Sequence, residues 1–386
     1  MNIVLTGGGS GGHITPVLAV AHELKRQLPS CHVMYIGQYG DDLLDIIKAN
    51  PDIDEIQTVS AGKLRRYSGE GWRQLFDIKT QALNIRDVFR TIKGFIQSFR
   101  LLKKAKPAVV FTRGGFVSVP VALAAKMHGI PYLTHDADSL PSLANRLIGR
   151  WAHLHTVALP PELYPYPQDK IRMVGMPVGH NHKPVGTNLR DEYKKELGLE
   201  AYDEVLLVTG GGNGARMLNK FVVNNSRYLL SRFPNLIILH FAGRALEQET
   251  NNMYESLKLE AARTRVRVYS FAADFYKFSG AADVIIARGG MSSIAEFALQ
   301  HKACLLVPSK QLAWNVKNSQ ALAKAGAVLE LTEEQAEQPE RLGRTVAGLL
   351  RDPARRATLE TAIGVFARPK AANELATLII ATGKGG

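Results

Sequence analysis

Short, nearly continuous runs of Val, Ile and Leu punctuate the chain at intervals of a few tens of residues. They read as strands at Ile3–Thr6, His32–Ile36, Ala108–Thr112, Pro131–His135, Glu204–Thr209, Leu236–Phe241, Val266–Ser270, Asp283–Ala287 and Ala303–Val307. Runs without polar alternation belong to strands covered on both faces, as in a parallel sheet. Between them, apolar residues recur every three or four positions, as in Pro16–Leu28 and Arg216–Arg232, which predicts amphipathic helices. Strand and helix in alternation give an α/β class with doubly wound parallel sheets.

The pattern runs twice. The first strand leads into Gly7-Gly8-Gly9-Ser10-Gly11-Gly12 and a helix; Val205–Thr209 leads into Gly210-Gly211-Gly212-Asn213-Gly214 and another. Six prolines between Leu159 and Pro184 mark a linker. The reading is two Rossmann-like domains, 1–165 and 166–365, whose strand ends face a shared cleft.

Composition narrows the class. With 46% apolar and 22% charged residues in 386, the chain is an ordinary globular protein of two-domain length. No apolar run reaches membrane-span length, and the N-terminus enters a strand without a leader-like segment. Two cysteines, Cys31 and Cys304, exclude a disulfide framework and fit a reducing cytosol. The net charge of +13 is uneven: Ala61–Pro107 holds twelve basic and three acidic residues. Such a block points to an anionic partner. Lys63, Arg65, Arg66, Tyr67 and Trp72 mix cations with aromatics in a Gly-containing loop, which suits an anionic membrane face. Ile85–Leu102 reads as an amphipathic helix with its apolar stripe on the sheet and its basic face in water. A nucleic-acid binder is the competing reading, but no recognisable nucleic-acid module accompanies the charge.

Glycine turns after strands bring backbone amides and a helix N-terminus to an oxyanion. Three such turns, at Gly7–Gly12, Gly114-Gly115 and Gly210–Gly214, favour phosphate ligands over plain tight turns. The first matches the dinucleotide fingerprint, yet no acid closes the second strand to hold a ribose, and no P-loop motif is present. His13, directly after the first turn, is either a general base or a capping residue. Ser293-x-x-Glu296 reads as a capping box, with ribose recognition by Glu296 as the alternative. Asp136-Ala137-Asp138 and Asp52-Ile53-Asp54 carry metal-type D-x-D spacing, a motif that arises often by chance.

Together these motifs resemble the MurG-type N-acetylglucosaminyltransferases of peptidoglycan synthesis. Gly8–Pro16 resembles the family's GG[ST]GGHxxP loop, Gly114–Pro120 its GGFVSxP loop and Gly175–Val178 its hinge. Gly211–Ala215 and Gly290–Glu296 resemble its third loop and its GAxTxxE segment; the likeness runs to about Val328. The resemblance implies a GT-B fold, an N-terminal acceptor domain and a C-terminal donor domain, with a last helix at about 366–380 crossing back. It implies inverting transfer of GlcNAc from UDP-GlcNAc to the muramoyl C4 hydroxyl of lipid I, forming lipid II. No tightly bound cofactor or metal is implied, nor nucleic acid, and the site of work is the cytoplasmic membrane face.

In that scheme His13 is the base, and Gly9, Gly114, Gly115 and Ser118 cradle the acceptor diphosphate. Ser10, Gly11, Gly12, Gly212, Asn213, Arg288, Met291, Ser292 and Ser293 serve the donor. Phe271 and Ala272 lie at the uracil, Glu296 holds the ribose, and Asp138, Asn315 and Asn318 complete the donor set. The chain departs from the pattern at Gly179, where the family has a hinge arginine, and at Gly212, Asp138 and Asn315. His180, Lys183 and Arg216 are the candidate replacements for that arginine. Related readings are a GT-B enzyme acting on another lipid such as diacylglycerol, and a UDP-GlcNAc 2-epimerase-like enzyme.

Overall fold

A computed structural model of the chain describes residues 1–8, 11–41, 44–63 and 78–385; for residues 11–13, 78 and 79 it describes the backbone alone. The described residues divide into two compact units. One comprises Met1–Gly179 with Arg368–Gly386, the other His180–Ala367.

The first unit is built on strands β1 (Asn2–Thr6), β2 (His32–Gln38), β3 (Glu55–Val59), β4 (Val109–Thr112), β5 (Tyr132–Asp136), β6 (Leu154–Val157) and β7 (Ile171–Met173). They form one sheet in the order β3-β2-β1-β4-β5-β6-β7, with every pairing parallel. Ile3 stands between Val33 and Val109, and all three are fully buried. One helical layer packs Val17, Val20 and Leu24 of Gly11–Gln27 onto Leu5 and Phe111. Leu375, Ala376 and Ile379 of the helix Ala371–Lys384 join that core. Because β7 pairs with β6, this unit runs on past 165 to Gly179.

The second unit repeats the plan with β8 (Glu204–Thr209), β9 (Leu236–Phe241), β10 (Val266–Tyr269), β11 (Val284–Ala287), β12 (Cys304–Leu306) and β13 (Leu329–Glu330). The order is β10-β9-β8-β11-β12-β13, again all parallel. Separate apolar clusters fill its two faces, one including Val222 and Val346, the other Ile285 and Phe297. Each sheet therefore reverses strand order once, between β1 and β4 and between β8 and β11. At such a switch point the connections leave in opposite directions and open a ligand crevice beyond the strand C-termini.

The basic helix differs from its sequence reading. It spans Ile78–Ala105, and Phe95, Phe99 and Leu102 pack with Val121 and Ala125 of the helix Ser118–Met127. Ile85, Val88, Phe89, Ile92 and Ile96 face solvent, with Phe89 67% exposed. Its apolar stripe thus splits, and only the C-terminal half covers the core.

Candidate active site

Four strands flank the two switch points, and each ends in a turn leading to a helix. β1 leads through Gly7 and Gly8 to the helix Gly11–Gln27, whose third residue is His13. Gly9 and Ser10 lie outside the described residues, as do Arg65, Arg66, Tyr67 and Trp72 of the basic loop. Lys63 is exposed at that loop's start.

β4 leads to Arg113-Gly114-Gly115 and the helix Ser118–Met127. Here the strand-terminal Thr112 folds the loop: its Oγ1 accepts from Gly114 N–H at 3.1 Å, and its hydroxyl is bonded to that of Ser118. Ser118 is fully buried and donates to the Gly114 carbonyl at 2.6 Å. That corrects the expected role of Ser118, whose hydroxyl is spent on the loop itself; Gly114's amide is likewise occupied. The amides of Gly115, Phe116 and Val117 bond to no described residue and are the loop's remaining donors.

β8 uses the same device. Thr209 Oγ1 accepts from Gly211 N–H at 3.1 Å, and Gly214 N–H closes onto Gly211 O at 2.9 Å. The amides of Gly212 and Asn213 keep no described partner, and the helix Arg216–Arg232 begins without a side-chain cap. Glycine is required at Gly214, where φ is +74° and a Cβ would stand 2.0 Å from the Ala242 carbonyl oxygen. The turn is thereby pressed against the end of β9.

β11 leads to Arg288-Gly289-Gly290 and the helix Met291–Leu299. The N-cap is Gly290, with no side-chain cap bond, which places Ser293 in the first turn and Glu296 in the second. The capping-box reading fails for that reason: the motif needs its hydroxyl at the N-cap and its carboxylate three positions on. Glu296 is half-buried, and desolvation, the sole influence on its carboxyl, pushes its pKa up to about 7. A carboxylate withdrawn from water without a partner is a common mark of a ligand site. Met291, Ser292 and Ser293 are half-buried beside it.

Arg288 is not free to meet a phosphate. Its Nη1 donates to the Val307 carbonyl at 2.9 Å and to Glu333 Oε1 at 2.8 Å, inside the unit. Asn318 is buried and donates from Nδ2 to Gly289 O at 3.0 Å. A Cβ on Gly289 would lie 2.3 Å from the Asn315 carbonyl oxygen, so the helix Ala313–Lys324 closely backs the turn. Asn315, also buried, adds its backbone to this support. Arg216, one candidate for the missing hinge cation, is paired with Glu249 at 2.8 Å.

Phe271 is 43% exposed beyond β10, next to half-buried Ala272. The Arg244 guanidinium lies 4.8 Å from the Phe271 ring centre. Arg244 follows Gly243, which packs against the Gly210–Gly214 turn, so this residue links that turn to the exposed ring. Sequence reading missed Arg244, because β9 ends in no glycine cluster that would flag its loop.

The D-x-D motifs are accounted for differently. Asp136 is buried and accepts from Tyr166 Oη at 2.8 Å and Ser142 N–H at 3.1 Å; burial raises its pKa against those bonds. Asp138 is half-buried and, with Asp136, lends charge to buried Arg113, whose Nη2 meets Met176 Sδ at 3.7 Å. Asp52 pairs with His22 at 3.1 Å and Asp54 with Lys25 at 2.6 Å. Among the described residues, no three His, Cys, Asp or Glu side chains converge as a metal site.

Residues 3–155 match the glycosyltransferase family 28 N-terminal domain, and 205–375 match the family 28 C-terminal domain. The chain belongs to glycosyltransferase family 28. A relative from Clostridium kluyveri is 33% identical over 335 residues, covering 86% of both chains. Another from Desulfitobacterium hafniense is 28% identical over 386 residues, covering 99% of both. Each is named UDP-N-acetylglucosamine–N-acetylmuramyl-(pentapeptide) pyrophosphoryl-undecaprenol N-acetylglucosamine transferase. Among solved structures, MurG of Acinetobacter baumannii superposes with a TM-score of 0.69 at 22% identity, covering 98% of this chain and 99% of that one. A UDP-GlcNAc 2-epimerase from Neisseria meningitidis reaches 0.67 at 14% identity over the whole of both chains. At such identities these two likenesses carry the fold, the two Rossmann-like domains of the GT-B class. The family 28 matches carry the chemistry: glycosyl transfer.

Proposed function

We propose that this family 28 enzyme transfers GlcNAc from UDP-GlcNAc to the muramoyl C4 hydroxyl of lipid I, giving lipid II and UDP. The observation that carries the reading is the ordered match of both family domains, with relatives of that named activity aligned along nearly the whole chain. The epimerase reading rests on fold likeness alone, and no observation favours diacylglycerol as acceptor.

The chemistry is a single displacement. His13 takes the proton from the acceptor C4 hydroxyl as that oxygen attacks the anomeric carbon. The C1–O bond to the diphosphate breaks, UDP departs and the configuration inverts. A positioned base of this kind contributes about 10²–10⁴ in rate. Charge on the leaving diphosphate is met by the amides of Gly212 and Asn213 and the uncapped start of Arg216–Arg232. Phe271 and Ala272 take the uracil, with Arg244 as the added cation, and Glu296 accepts from the ribose hydroxyls. Met291, Ser292 and Ser293 border the sugar-phosphate, while Asn315 and Asn318 hold the Gly289 turn. Gly9 and the amides of Gly115, Phe116 and Val117 hold the acceptor diphosphate, with Ser118 shaping the Gly114-Gly115 loop from behind.

The enzyme docks peripherally on the anionic inner membrane face. No helix among the described residues is long and apolar enough to cross a bilayer. The exposed row of Ile85, Phe89, Ile92 and Ile96 on a helix carrying Arg86, Arg90, Lys93 and Arg100 suits insertion at a headgroup boundary. The Lys63–Trp72 loop adds cations and aromatics beside it in sequence, and nucleic acid has no role. The test is UDP release by purified enzyme offered lipid I or diacylglycerol with UDP-GlcNAc, UDP-glucose or UDP-galactose in turn. Turnover confined to lipid I with UDP-GlcNAc supports the proposal; turnover with diacylglycerol alone rejects it. With the right pair in hand, His13→Ala should lower kcat within the stated range and leave UDP affinity unchanged.

A further inference from the structure

At the opposite end of the first sheet from its glycine turns, the N-terminal ends of β5, β6 and β7 meet the last turns of the helix Ala371–Lys384. Between them lies a cavity of about 650 Å³, within the range of small-molecule sites. Its floor is apolar, with Ile130, Pro131 and Leu154 on the sheet side and Leu378 and Ala381 on the helix side. Lys126, Lys170 and Arg172 stand around it, and no carboxylate among the described residues lines it. None of the three cations forms an ion pair among the described residues. Arg172 Nη1 donates to the backbone carbonyls of Asp169 at 3.0 Å and Ile171 at 2.7 Å, contacts that orient the guanidinium without neutralising it. Lys170 is felt nearby: burial first, and its charge second, pull His155 down to about 4. At the rim, Trp151 carries the Arg150 guanidinium 3.8 Å from its ring centre.

Three like charges lining one hollow repel one another and gain by sharing an anion. A free phosphate would satisfy them but leave the apolar floor wet. A ligand with a phosphate at one end and an aliphatic chain at the other satisfies both. We propose that this cavity binds a single anionic phospholipid, its phosphate among Lys126, Lys170 and Arg172 and its chain along Leu154 and Leu378. The site is separate from the glycine turns and from the exposed stripe of Ile78–Ala105, so it stands independently of the transferase reading.

The probe is dihexanoyl phosphatidylglycerol, kept below its micellar concentration so that no bilayer is present, titrated into the full chain by calorimetry. Glycerol 1-phosphate and dihexanoyl phosphatidylcholine serve as comparisons. The expected result is saturable binding of the phosphatidylglycerol, about tenfold or more tighter than either comparison. Lys126→Glu with Arg172→Glu should weaken it at least about tenfold, since two of the three cations lining the cavity become anions that repel the phosphate. Phe89→Ser with Ile92→Ser should leave it unchanged. Should the charge-reversed protein melt early, Lys170→Ala with Arg172→Ala replaces it. Equal affinity for glycerol 1-phosphate, equal affinity for the phosphatidylcholine, or binding untouched by loss of the cations would each overturn the assignment.

Discussion

Replacing Glu296 with Gln turns the proposed ribose contact into a pH measurement. The free carboxyl titrates near 7 because it is desolvated without a partner. Two ribose hydroxyls donating to it favour the ionised form, so donor binding must expel the proton when one is present. At pH 6 a group of pKa about 7 is about nine-tenths protonated, and UDP-GlcNAc affinity should fall about tenfold between pH 8 and pH 6. UDP-GlcNAc is the ligand to use, since its diphosphate diester does not titrate in this window. Calorimetry in two buffers of different ionisation enthalpy should report release of close to one proton at pH 6. Glu296→Gln should flatten the pH profile and weaken binding at pH 8 by about 1.5–3 kcal/mol, the worth of hydrogen bonds to a charged acceptor. Stability moves the other way. With the folded pKa raised from 4.5 to about 7, the unliganded enzyme loses stability as pH rises through that interval. The loss is at most about 3 kcal/mol, reduced by the water that still reaches the group. Glu296→Gln should therefore melt level with the wild type at pH 4.5 and above it at pH 8. A pH-independent donor affinity in the wild type, or an unchanged slope in the variant, would refute the reasoning.

Other substitutions separate binding groups from supporting ones. Arg288→Met leaves Glu333 buried without its cation and should cost about 3 kcal/mol in denaturant melts, while the folded fraction binds UDP with wild-type affinity. Ser118→Ala strands the Gly114 carbonyl and should lower stability by about 1–3 kcal/mol, with acceptor KM rising and donor KM unchanged. Phe89→Ser with Ile92→Ser removes exposed side chains, so melting should hold while cosedimentation with anionic vesicles falls; retained cosedimentation would move the docking surface elsewhere.

The strand plan was legible because the central strands are covered on both faces and write themselves as unbroken aliphatic runs. Four strands were not. β3, at one edge, alternates with polar residues; β7 and β13, at two more edges, are three and two residues long. β6 carries His155 and Thr156, whose polarity is absorbed by bonds to Thr134 and His135 that no linear pattern shows. The glycine turns were equally plain, but the duties of individual residues were not. Ser118 and Arg288 look like ligands by position and prove to be occupied by Gly114, Val307 and Glu333, partners remote or hidden in sequence. Glu296 errs in the other direction, since one turn of offset in the helix start frees it from capping. The basic helix misled because its two apolar faces merge into one stripe on paper; only the packing against Ser118–Met127 tells them apart.

The central claim is a chemical one, and the mass and anomeric configuration of the products decide it. Purified enzyme incubated with lipid I and UDP-GlcNAc should yield a lipid heavier by one N-acetylhexosamine residue, β-linked, with UDP released in equal amount. Recovery of unaltered lipid I, or of a free sugar epimer, from folded enzyme that binds UDP would contradict the account.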